Sequence, residues 1–132
     1  MENNSIILQI GQFIQLTKDK KIIWSSQPNN PFFAKWERTV DGKTITVTIQ
    51  KMQLSASGTQ RNTSGQIVAV GATYYYYLSI VKSNPQPVEL LLQLNSQTES
   101  QYKDSLTSLF SVASDSAIQS SAELFKSLFE GL

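Results

Sequence analysis

The chain has 132 residues, of which 11 are Lys or Arg and 10 are Asp or Glu, and it contains no Cys and no His. This length predicts a single domain spanning residues 1–132. Because thiol and imidazole groups are missing, Ser-His-Asp catalysis and thiolate nucleophiles are excluded, and a zinc site is not expected. We therefore expect a non-enzymatic protein with no metal and no cofactor.

The start of the chain is polar and acidic, without the basic residues and apolar run of a signal peptide. No apolar stretch approaches the roughly 20 residues that cross a bilayer. We therefore expect a cytoplasmic protein with no membrane span.

The first predicted element is a strand over residues 6–16. Its even positions are mainly apolar and its odd positions are mainly polar, which is the alternation of a half-buried strand. A polar turn follows at residues 17–20, and residues 21–26 are expected to return as the antiparallel partner.

The next element is a hairpin with Asp41-Gly42 at its turn. This dipeptide suits a two-residue type I′ turn, in which both central residues need positive φ. The turn sets the register of strands at 32–40 and 43–54, so that Phe33 lies opposite Gln50. In this register apolar side chains meet on one face only.

Residues 55–65 are small and polar and predict a loop. Residues 66–82 then form one long strand, or two strands joined near Gly71, and residues 88–95 return beside them. The even positions of this segment are apolar or aromatic and predict the packed face.

After residue 95 the hydrophobic period becomes helical, which predicts a helical segment over residues 97–130 that ends at Gly131. Ser96 and Glu99 have the spacing of a capping box. Weak helix formers at 114–116 favour a break or kink, which leaves a bent helix and a helical hairpin both open.

Strands over residues 6–95 followed by one helical segment predict an α+β fold. We expect about six to eight antiparallel strands, with a long C-terminal helix packed on the sheet.

The main candidate site is the outward face of this sheet. Aromatic rings stack on nucleobases and basic side chains neutralise phosphates, so the face predicts binding of single-stranded DNA or RNA. The same tyrosines also suit packing against a second sheet or subunit. The predicted nucleic-acid-binding residues are Phe33, Lys35, Arg38, Thr46, Thr48, Lys51, Arg61, Tyr75 and Tyr77.

The last half of the chain resembles a known family. An aromatic strand at 74–82, a short turn, a strand at 88–95, a capping Thr98 and a long amphipathic helix follow one another. This order, over about residues 66–130, is similar to the end of the β-β-β-β-α unit of the positive-cofactor-four and Whirly transcription regulators. The resemblance implies a curved sheet that binds single-stranded DNA and helices that pack together or dimerise.

Two other functions stay open. The C-terminal segment is rich in Ser and Ala and carries apolar anchors such as Phe125 and Leu128, which suits a protein-interaction or structural subunit that forms a homo-oligomer, most simply a dimer. Separately, a basic first hairpin resembles a pleckstrin-homology domain and implies a lipid or small-ligand binder. The residues of that basic cluster are Lys18, Lys20, Lys21, Lys51 and Arg61.

Overall fold

The computed structural model describes residues 2–27, 30–84 and 86–132, and these form two helices, seven strands and one short 3₁₀ turn at Ser100–Tyr102. The helices are α1 (Glu2–Lys18) and α2 (Lys103–Ser127). The strands are β1 (Ser25–Gln27), β2 (Asn30–Val40), β3 (Lys43–Ser55), β4 (Gly58–Arg61), β5 (Ile67–Val70), β6 (Thr73–Asn84) and β7 (Glu89–Asn95).

Five of the strands form one antiparallel sheet in the order β1-β2-β3-β6-β7, and β4 and β5 pair as a separate two-stranded sheet. The predicted α+β class, the number of strands and the C-terminal helix on the sheet are confirmed. The separate β4–β5 pair corrects the prediction of a loop at 55–65. Asn62 stabilises the turn of this hairpin, because its side-chain oxygen accepts hydrogen bonds from the backbone N–H groups of Ser64 and Gln66.

The hairpin at Asp41-Gly42 is confirmed residue by residue. Both turn residues have positive φ, 52° for Asp41 and 77° for Gly42, as a type I′ turn requires. The register places Phe33 opposite Gln50 as predicted. Local turn chemistry therefore determines the pairing of β2 with β3.

The predicted strand at residues 6–16 is wrong, because this segment lies within α1. Ile10 and Thr17 are buried, whereas Leu8 is 71% exposed, so burial follows the helical period and not the alternation of even positions. Ile7 and Phe13, which break the alternation, are half-buried on the core side of the helix. The expected return strand at 21–26 shrinks to β1, since it has no strand partner at 6–16.

Both helices pack on the same face of the sheet. The core joins Ile10 of α1 and Leu106 of α2 to sheet residues such as Ile49 and Leu78. Trp24, in the connection before β1, is fully buried at 0% exposure. The opposite face carries neither helix, and we call it the outer face.

The C-terminal segment differs from prediction at both ends and in its middle. Helix α2 runs without a break through residues 114–116, where Ser116 accepts a hydrogen bond from the backbone N–H of Trp24 at 3.0 Å. Ser96 does not cap the helix. It is buried, and it instead exchanges hydrogen bonds with the backbone of Tyr76 in β6. The helix ends at Ser127, before Gly131.

Candidate functional site

The outer face is an ordered grid of side chains. The registers of β2, β3 and β6 place Phe33, Gln50 and Tyr77 in one row. The next row along the strands holds Lys35 and Thr48. Alternation puts all of these opposite the face on which the helices pack. Phe33, near the start of β2, also lines a cavity together with residues of α2.

The structure brings six of the nine predicted binding residues to this face by strand alternation and register. They are Phe33, Lys35, Thr46, Thr48, Tyr75 and Tyr77. Both tyrosines are half-buried by their neighbours in the sheet. The face therefore has the rings and hydroxyl groups that the sequence predicts.

The other three predicted residues, all basic, lie elsewhere. Arg38 pairs with Ile45 on the helix-side face. Lys51 is also on that side, with its Nζ 4.3 Å from the centroid of the Tyr74 ring. Arg61 belongs to β4, where it donates to the Gly65 carbonyl at 2.9 Å. These cations are not aligned with the outer face.

Charge is balanced on part of the outer face, namely on the four rows that run from Phe33 to Thr39 of β2. Lys35 is its basic residue and Glu37 its acidic residue, and Glu37 accepts a hydrogen bond from Thr46 at 3.3 Å. One positive and one negative side chain give this surface little field to attract a polyanion. The surface can therefore bind a ligand mainly through aromatic stacking and hydrogen bonds.

The second candidate surface is the end of α2, residues 121–132, which we call the α2 tail. Every residue of the tail is exposed. Phe125 and Phe129 are 64% and 59% exposed, and their rings meet edge to face with centroids 5.4 Å apart. Leu124 and Leu128 are 68% and 66% exposed. Such a concentration of large apolar side chains in water marks an interaction surface.

The apolar stripe of the tail continues the stripe that packs on the sheet. Ala113 and Ala117 are buried on the sheet side of α2. Leu124 lies two helical turns beyond Ala117 on the same side, and Leu128 lies one turn further. The tail therefore has the core-facing pattern of α2 but no sheet beneath it.

A cavity of ≈ 300 Å³ opens where the tail begins. Its walls are largely apolar and come from β1, the start of β2, and α2. Its lining residues are Ser26, Gln27, Asn30, Phe33, Ser114, Ala117, Ile118 and Ser121. Sequence reasoning misses this cavity because it depends on how α2 crosses the short edge strand β1.

A second cavity of ≈ 320 Å³ lies between the end of α1 and α2. Lys18 and Lys20 face Asp115 and Glu123 across it, so its charge is mixed. Lys18 is the last residue of α1 and Lys20 follows the helix, so the basic first hairpin on which the pleckstrin-homology resemblance depends does not form. The even positions Tyr76, Leu78 and Ile80 of β6 pack against the helices, as the sequence predicts for the packed face.

Neither helix in the described parts of the chain is long and apolar enough to cross a membrane. Within the same residues, no group of three or more acidic side chains is placed to hold a metal ion. Comparisons with protein-family models, curated proteins and solved structures found no match. The resemblance to the Whirly and positive-cofactor-four regulators stays a prediction.

Proposed function

We propose that this chain is a non-catalytic assembly subunit whose copies associate through the α2 tail. The observation that carries the proposal is the exposure of Leu124, Phe125, Leu128 and Phe129 on one short helical segment. The absence of Cys and His from the sequence directs attention to binding surfaces rather than to nucleophilic or imidazole chemistry.

The size of the apolar surface supports this function. Ile118, which is 63% exposed, adds a fifth large apolar side chain to the four of the tail. Each of the five is roughly two-thirds exposed. Given the area of such side chains, they present on the order of 500 Å² to water. A two-fold pair would bury about 1,000 Å², which reaches the size of a specific protein interface.

Phe125→Glu tests the proposal. A carboxylate in the centre of an apolar contact would have to be desolvated, so we expect the dissociation constant for self-association to rise at least about 100-fold. Sedimentation velocity over a concentration series measures this, with circular dichroism to verify the fold.

Ile67→Glu is the matched control, since Ile67 is 67% exposed in the β4–β5 hairpin, outside the tail. It should leave association unchanged. A wild-type chain that stays monomeric at high micromolar concentration, or equal effects of the two variants, would contradict the proposed function.

A second candidate function is the binding of single-stranded nucleic acid on the outer face. The observation that favours it is the row of Phe33, Gln50 and Tyr77 across the outer face, with Lys35 beside it. Rings in such a row offer stacking positions for successive bases. With one cation nearby, we expect weak affinity, with Kd about 10–100 µM, and a shallow salt dependence of about one phosphate contact.

Fluorescence anisotropy with a labelled oligo-dT tests this function. Tyr77→Ser should remove most of the binding, because it deletes the central ring of the row. Tyr74→Ser is the matched control, since Tyr74 lies on the helix-side face beside Lys51. No binding by the wild-type chain at about 50 mM salt, where phosphate contacts are strong, would exclude this function.

A further inference from the structure

The end of α2, from Ile118 through the α2 tail, has the residue spacing of a two-helix seam. Ile118, Ser121, Phe125 and Leu128 follow one another at steps of three and four residues, as the a and d positions of a heptad do. With this heptad assignment, the charged side chains occupy b and f positions, on the side of the helix away from the seam. They are Glu123, Lys126 and Glu130. The whole charge of the tail is therefore kept away from the seam, as an apolar partner helix requires.

The order of large and small side chains selects the direction of that partner. In a parallel pair, Ser121 would face Ser121 and Phe125 would face Phe125, which leaves a gap beside a crowded layer. In an antiparallel pair centred near residue 123, Phe125 faces Ser121 and Leu128 faces Ile118. Each large side chain then meets a smaller or complementary one.

The cavity at the start of the tail supports the same arrangement. Ile118 and Ser121 line it together with β1 and the beginning of β2. The antiparallel layer that joins Ile118 to Leu128 of a second copy places that leucine at the mouth of this cavity. Its volume of ≈ 300 Å³ is ample for one leucine side chain, and its walls are mainly apolar.

From these observations we infer that two copies of the chain pair through antiparallel α2 tails, with Leu128 of each copy seated in the cavity between α2 and β1 of the other. This inference rests on the proposed function, and it adds the partner, the direction and the contact made by each residue. The two-fold axis crosses the seam at the level of residue 123 along the helices. Because of this symmetry both cavities are filled at once.

Spin labels on single cysteines measure the direction, because the natural chain has no Cys to interfere. Labels at Glu123→Cys and at Glu130→Cys lie outside the seam. In the antiparallel pair the two Glu130 labels are offset by about 21 Å along the axis, from 14 residues at the helical rise, while the Glu123 labels share one level. The helical turn continues past Ser127 to Glu130, because the backbone N–H groups of Leu128, Phe129 and Glu130 each donate to the carbonyl three residues earlier. In a parallel pair the two label distances are the same.

Substitutions in β1 test the cavity without changing α2. Gln27→Lys puts an ammonium group at the cavity wall, and we expect association to weaken about tenfold, since Leu128 would have to desolvate that charge. Ser25→Lys is the matched control, because Ser25 is exposed on the same strand and does not line the cavity. It should leave association unchanged.

The outcomes separate this inference from the function on which it rests. The inference is supported if the distance between labels is larger at position 130 than at position 123 and if Gln27→Lys weakens the pair. A pair with constant label distances, or equal effects of the two lysine variants, overturns the inference while the proposed function stands. A monomeric wild-type chain overturns both.

Discussion

Thr17 shows how one buried hydroxyl group connects α1 to the rest of the core. Its Oγ1 donates to the Phe13 carbonyl at 2.7 Å and accepts from the indole Nε1 of Trp24 at 2.9 Å. The backbone N–H of Trp24 in turn donates to Ser116 in α2. A chain of three hydrogen bonds therefore links the two helices through a tryptophan that is fully buried.

Thr17→Val should lower the free energy of unfolding by about 1–3 kcal/mol, because it leaves the buried indole N–H without its acceptor while conserving shape. Urea denaturation followed by tryptophan fluorescence measures the change. Thr107→Val is the matched control, since Thr107 makes the same bond to the carbonyl four residues earlier but is exposed on α2. Its effect should stay within about 0.5 kcal/mol, and a loss equal to that of Thr17→Val would contradict this role.

At the scale of elements, β2 and β3 could be predicted from sequence because their signal is local. The turn at Asp41-Gly42 and the alternation beside it agree with each other, so one register satisfies both. Helix α1 could not be predicted in this way. Its apolar residues fit two periods at once, because the even positions alternate while Ile7, Ile10 and Ile14 also follow at helical steps of three and four. The packing of α2 and Trp24 against this segment selects the helix.

The same distinction applies to the candidate site. The residues of the outer face could be predicted wherever the hairpin register alone decides which of them lie opposite one another, as for Lys35 and Thr48. The face occupied by Lys51 depends on carrying that register to the end of β3, and the position of Arg61 depends on the separate β4–β5 pair. The cavity beneath Ile118 required knowledge of how α2 crosses β1.

Gly42→Ala should destabilise the protein by about 1–2 kcal/mol, since a side chain at a φ of 77° is strained in the left-handed region. Thermal or urea unfolding measures the loss. Gly58→Ala provides the comparison, because Gly58 does not have positive φ and an added Cβ there meets nothing within 4 Å. If both substitutions cost the same, the type I′ turn is not what determines this hairpin.

At the scale of the whole molecule, the two candidate surfaces share Phe33 but are otherwise independent, because Phe33 lies in the outer-face row and also lines the cavity at the start of the tail. The outer face and the helices lie on opposite sides of one sheet, so association through the α2 tail leaves Tyr75 and Tyr77 free. Phe125→Glu and Tyr77→Ser should therefore each affect one assay and leave the other unchanged. This independence lets the two proposed functions be judged separately.

The packing of α1 against α2 also bears on synthesis of the protein. Helix α1 finds its partner only when α2 is complete, about 100 residues and roughly 5–20 seconds of translation later. Until then the apolar side of α1 has no core to enter, whereas the β2–β3 hairpin can close as soon as it leaves the ribosome. The core therefore closes only after α2 has been synthesised.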